Sequence, residues 1–152
     1  MIGSWRREHT GDGAKGMPAH VTLLYPFATV EDVDPAALEG VFEGVEPFGY
    51  SLRELRDWPD GVVYLDLEPA EPFVRLTESL CERFPDYPPY GGAHETIVPH
   101  VTVVHEADEL VRADAVASVA RSLPIACNAS EAWLMHEVNG QWQRHTPLPL
   151  GR

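Results

Sequence analysis

The sequence is poor in positive charge. Its 152 residues include 11 Lys plus Arg against 24 Asp plus Glu, a formal net charge of −13. Lys15 is the single lysine, and the arginines are scattered: Arg53 and Arg56 stand among acids, Arg75 and Arg83 on an expected helix. Tight binding of long RNA or DNA uses a basic track that displaces counterions from the phosphates. A long polyanion is therefore disfavoured, whereas a small phosphate ester in a local pocket is not. Cysteine is scarce too. Cys81 and Cys127 form no C-x-x-C, and two thiols cannot build a disulfide framework, which fits a reducing cytosol. The N-terminus, Met1 to Arg7, lacks the apolar segment of a signal peptide. No run of about 18 apolar residues is available to span a membrane. A cytoplasmic protein is expected.

What is present suits one globular domain over residues 1–152. Hydrophobic residues make up 44% and charged residues 23%, a globular rather than a disordered balance. A chain of this length buries most of its surface without a metal or disulfide staple.

Two segments are near copies. Ala19-His20-Val21-Thr22-Leu23-Leu24-Tyr25-Pro26-Phe27 is matched by Pro99-His100-Val101-Thr102-Val103-Val104-His105, and the two histidines lie 80 positions apart. Residues 20–25 and 100–105 read as strands. Each is followed by a helix and a hairpin. Asp34-Pro35 caps a helix at 36–44, and Asp108 caps another whose inward residues are expected to be Leu110, Ala113, Ala117, Ala120 and Leu123. Strands 48–56 and 62–67 flank the turn cluster Trp58-Pro59-Asp60-Gly61, and strands 125–137 and 141–146 flank Asn139-Gly140. A further helix spans 72–84 with Phe73, Leu76, Leu80 and Phe84 on its apolar face, followed by a Pro- and Gly-rich loop at 85–99.

The repeat predicts an α+β fold of two pseudo-symmetric lobes, roughly 16–67 and 85–150. Each would be an antiparallel sheet flanked by helices, with a cleft between them. Symmetry also asks for a strand and a helix ahead of His20. Residues 2–10 supply the helix, and nothing supplies the strand, so either the fold does without that edge strand or the natural chain starts further upstream.

Side chains at i and i+2 share a strand face, so His20 and Thr22 point together, as do His100 and Thr102. Two imidazoles across a cleft suit phosphodiester chemistry. One takes a proton from the nucleophile and the other protonates the departing oxygen, both with an unperturbed pKa near 6.5. Threonine hydroxyls donate hydrogen bonds to the non-bridging phosphate oxygens. No metal or cofactor is called for. Composition alone predicts about 0.3 H-x-T patterns in this chain, by simple counting. The third one, His94-Glu95-Thr96, has no partner at the repeat offset and is read as chance or pocket lining.

On His20-Val21-Thr22-Leu23 and His100-Val101-Thr102-Val103, the sequence resembles the 2H phosphoesterase superfamily, the 2′-5′ RNA ligase-like proteins. The flanks agree: Met17-Pro18-Ala19 and Leu24-Tyr25-Pro26-Phe27 around the first motif, Pro99 before the second. The resemblance runs from about residue 16 to 150. It implies His20 and His100 as the acid–base pair and Thr22 and Thr102 as phosphate anchors. It also implies a metal-independent phosphodiesterase acting on a 2′,3′-cyclic phosphate or 2′-5′ linkage of a small nucleotide or RNA end, with 2′-5′ ligation as the reverse reaction. The family's first strand has no counterpart here. The rival reading is a non-catalytic protein that binds a nucleotide or another phosphorylated ligand in the same cleft.

Secondary candidates surround this pair. Tyr87 and Tyr90, in the loop before His100, are candidate lid residues. Trp142 is a candidate base-stacking residue and Arg144 a candidate phosphate contact, on one face of the last strand with Thr146. Core packing for Trp142 and solvation for Arg144 are the favoured alternatives. His105 is read as structural, and the spacings of His94, His100 and His105 fit no common zinc motif.

Overall fold

The computed structural model describes residues 2–92 and 96–151. The chain begins with helices α1 (Ile2–His9) and α2 (Gly11–Ala14). Next come α3 (Pro35–Phe42), β1 (Phe48–Asp57), β2 (Val63–Glu68) and α4 (Glu71–Arg83). They are followed by β3 (Val101–Val104), α5 (Glu109–Ala120), β4 (Ile125–Ala129), β5 (Glu131–Val138) and β6 (Gln141–Pro149). The architecture is α+β. A four-stranded antiparallel sheet runs β3-β2-β1-β4, and β5 and β6 form a second, two-stranded sheet.

Local chemistry accounts for most boundaries. The Asp34 carboxylate accepts from Ala36 N ahead of Pro35, and Asp108 accepts from Val111 N, so both expected caps are made. Asn139 and Gly140 adopt positive φ of 51° and 77°, as a two-residue type I′ turn requires between β5 and β6. Helix α4 buries Phe73, Leu76, Thr77 and Leu80. One core gathers around Leu65, Val103, Val104 and Val119 behind the large sheet. A second gathers around Leu38, Phe42, Leu76, Leu80 and Leu148.

Four expectations differ from the structure. Residues 20–25 are irregular rather than a strand. Their backbone acceptors are met outside any ladder: Thr77 Oγ1 donates to Leu23 O at 2.7 Å and Tyr90 N to Tyr25 O at 2.6 Å. The segment 125–137 is two strands, because the chain leaves the large sheet at Ser130 and enters the small one. Helix α5 buries Ala115 and Val119 instead of the expected face, and Leu110 is 79% exposed. Alanines and valines surround that helix, so its pattern does not select a side. Finally, the large sheet takes β1 and β2 from the first half of the repeat and β3 and β4 from the second. The sheets therefore do not divide between 16–67 and 85–150.

Candidate functional site

His20 lies in the irregular segment after α2, and His100 immediately precedes β3. The two rings are anchored alike. His20 Nδ1 is 2.7 Å from Pro18 O, and His100 Nδ1 is 2.7 Å from Val98 O. A carbonyl oxygen only accepts, so Nδ1 carries a hydrogen in both rings. Nε2 is left as the atom that gains and loses a proton. His20 Nε2 is 3.1 Å from Thr22 Oγ1, which is the i, i+2 relation expected of the motif although no strand enforces it. Val101 and Val103 are buried in the core on the opposite side from Thr102.

His20, Thr22, His100 and Thr102 border one open cleft of about 1280 Å³. Tyr90, Trp142 and Arg144 border it as well. Tyr87 does not; it packs edge-on against Phe27, with ring centroids 5.3 Å apart. Trp142 is half-buried, and the Arg144 guanidinium lies 5.1 Å from the Trp133 ring centre. Trp142 and Arg144 keep one face of β6, and a β-bulge between Arg144 and Thr146 takes Thr146 out of that simple alternation. His105 is exposed at the end of β3 and borders the cleft. His94 lies outside the described residues. Among the described residues no three His, Cys, Asp or Glu side chains cluster as a metal site would need.

Electrostatics bias both imidazoles toward the neutral form. Burial pushes the His20 pKa below its usual value; the Pro18 carbonyl opposes this, Arg6 adds to it and Asp12 opposes it. Burial likewise lowers the His100 pKa against the pull of the Val98 carbonyl, and the charge of His20 lowers it further.

Several neighbours are not evident from the sequence. Arg6 is buried, 1% exposed, and donates to Thr102 O at 2.9 Å and Asp12 Oδ1 at 3.0 Å. Asp12 Oδ2 lies 4.0 Å from His20 Nε2. Trp58, read from the sequence as part of a turn cluster, stacks on Tyr64 at 4.0 Å between centroids and meets the His100 ring at 4.7 Å, nearly perpendicular. Tyr25 is 54% exposed beside the cleft. Tyr50 also borders it, its hydroxyl pKa pushed up to about 12 by burial and by Cys127. Arg6, Asp12 and Tyr50 sit in no motif, and only tertiary placement brings them, with Tyr25 of the first repeat segment and Trp58 of the turn, to this cleft and its histidines.

The fold is similar to that of E. coli LigT. The apo form gives a TM-score of 0.59 at 18% identity, covering 99% of this chain and 89% of LigT. The LigT complex with 3′-AMP gives 0.54 at 18% identity, covering 99% of this chain and 90% of that one. A crystal structure of a phosphoesterase gives 0.54 at 17% identity, covering 99% and 92%. No curated protein sequence matches. The family model described as the 2′-5′ RNA ligase superfamily matches residues 2–141.

Proposed function

The chain belongs to the 2′-5′ RNA ligase superfamily, and on that premise we propose that it is a metal-independent phosphodiesterase acting on a 2′,3′-cyclic phosphate or 2′-5′ linkage of a small nucleotide or RNA end. The observation that carries this reading is the shared anchoring of His20 and His100, each held through Nδ1 at 2.7 Å, beside one cleft with Thr22 and Thr102.

In hydrolysis one Nε2 accepts a proton from the attacking water as its oxygen bonds to phosphorus. The other Nε2, protonated, gives its proton to the ester oxygen as that P–O bond breaks. The pair thus exchanges one proton in and one out, and the products regain the balance when the two rings re-equilibrate with solvent. Thr22 and Thr102 donate hydroxyl hydrogens to the non-bridging oxygens as charge grows there. Trp142 and Tyr90 offer ring faces to a base, and Arg144 offers a cation to phosphate. Tyr87, packed on Phe27, supports the loop that carries Tyr90 rather than touching substrate.

Charge narrows the substrate. Asp12, Glu31, Glu106, Glu131 and Glu137 border the cleft, against Lys15 and Arg144. Extended RNA would set many phosphates against that surface, which supports a small substrate and makes 2′-5′ ligation the lesser activity. E. coli LigT has been crystallised with NADP+ and with 3′-AMP, both nucleotides. We further propose a single domain over 1–152 and a cytoplasmic location.

The test is a panel of 2′,3′-cyclic nucleotides, 2′-5′ dinucleotides and long 2′-5′-containing RNA, assayed in excess chelator. Turnover of small members is expected. Nucleotide binding with no turnover of any member would instead mark the protein as a binder.

A further inference from the structure

The two histidines are anchored alike but surrounded differently. His100 meets the rings of Trp58 and Tyr64, at 4.7 and 5.5 Å between centroids. His20 instead has a carboxylate at its reactive nitrogen, with Asp12 Oδ2 4.0 Å from Nε2. That carboxylate is firmly placed. Its other oxygen accepts from Arg6 at 3.0 Å, and Arg6 is buried and also bonded to the backbone of Thr102. Thr10 caps α2 through Gly13 N at 2.9 Å while its hydroxyl donates to Arg6 O at 2.8 Å, which locks α2 onto α1.

Asp12 is ionised at neutral pH. Burial works against its charge, but the charge of Arg6 and the hydrogen bond that Arg6 donates hold its carboxyl below the usual range. The charged groups that face His20 are then Arg6 from α1, Asp12 from α2 and His100 from the approach to β3. The cations that border the cleft are engaged elsewhere: Lys15 pairs with Glu137 at 3.2 Å, and Arg144 lies over Trp133.

We propose that Asp12, braced by Arg6, is a positioning residue for His20: it supplies the negative charge that lets Nε2 hold a proton beside a buried guanidinium, and so breaks the symmetry between the two histidines. Arg6 joins the two motifs, because it binds Thr102 of one and the carboxylate facing His20 of the other. Without Asp12, His20 faces a bare buried cation and gives up its proton more readily. The catalytic consequence of this coupling rests on the phosphodiesterase reading; the electrostatic coupling itself does not.

The experiment is NMR titration of the imidazoles in the ligand-free protein, which needs no substrate. Two comparisons isolate Asp12: Asp12→Asn against the parent, and Arg6→Met/Asp12→Asn against Arg6→Met. In each, loss of the carboxylate should shift the His20 midpoint downward and move His100 less. The second comparison carries the test if Asp12→Asn alone fails to fold with its buried cation unpaired. On a substrate that the parent turns over, Asp12→Asn should also lower kcat about tenfold at constant KM, a fraction of what acid–base catalysis contributes. An unmoved or raised His20 midpoint in the comparisons would overturn the coupling. A lowered midpoint in a protein that turns over no phosphodiester would uphold it and overturn the function instead.

Discussion

Replacing Gly13 by alanine sets two effects of opposite sign against each other. Gly13 is in helix α2 and has no positive φ to defend, so helix propensity alone predicts a gain of about 1 kcal/mol. The packing predicts a loss. A Cβ there would overlap Arg6 O and Thr10 Oγ1, and the first of these is backbone that cannot swing aside. Helix α2 must lift from α1. That movement weakens the Thr10 cap and the Thr10 hydroxyl bond to Arg6 O, each worth about 1 kcal/mol. Residual overpacking costs about 1–3 kcal/mol more. The net expectation is a loss of about 2–4 kcal/mol, or a Tm lower by about 4–16 °C at this chain length. Urea unfolding with an unchanged m-value is the assay, since the effect belongs to the native state. A variant as stable as the parent, or more stable, would refute the packing argument.

Further outcomes follow from the site. Catalysis needs one neutral and one protonated imidazole, and both pKa values are lowered, mainly by burial, so kcat/KM should peak on the acid side of pH 6.5 and fall as pH rises beyond it. The same shifts give stability that is fully present above the unfolded value of about 6.5 and is lost as pH falls through the lower folded values, a slope that denaturant melts at pH 7 and pH 5 will read. Thr22→Val and Thr102→Val keep side-chain shape and remove a hydroxyl donor; each should lower kcat about 100-fold, with KM separating anchoring from chemistry. Trp142→Ala should raise KM for a nucleotide substrate about tenfold through the loss of about 1–2 kcal/mol of stacking, and leave kcat nearly unchanged.

What the sequence disclosed was local. The His-Thr spacing, the Asp34 and Asp108 caps and the Asn139-Gly140 turn each depend on neighbours within a few positions, and each has its expected local geometry in the structure. What it concealed depends on partners distant in the chain. Residues 20–25 alternate like a strand, but a strand exists only where a neighbour offers a ladder, and Thr77 and Tyr90 take that place. Residues 125–137 read as one strand because both sheets accept the same pattern, and the change of sheet at Ser130 leaves no compositional mark. In α5, apolar residues on every side left the buried face to be chosen by packing. No local pattern marks Arg6 or Asp12 in the sequence. Only the docking of α1 beside β3 makes a buried cation of one and a neighbour of His20 of the other.

The central claim is that His20 and His100 divide one proton transfer between them. The direct measurement is steady-state turnover of the best cyclic phosphodiester in excess chelator by the parent, His20→Ala, His100→Ala and the double variant. Each single change should cost about 10²–10⁴-fold in kcat, and the double variant little more than the worse single one, since the two rings act as a unit. Parent-like turnover in either single variant, in protein that folds normally, would contradict the two-histidine account.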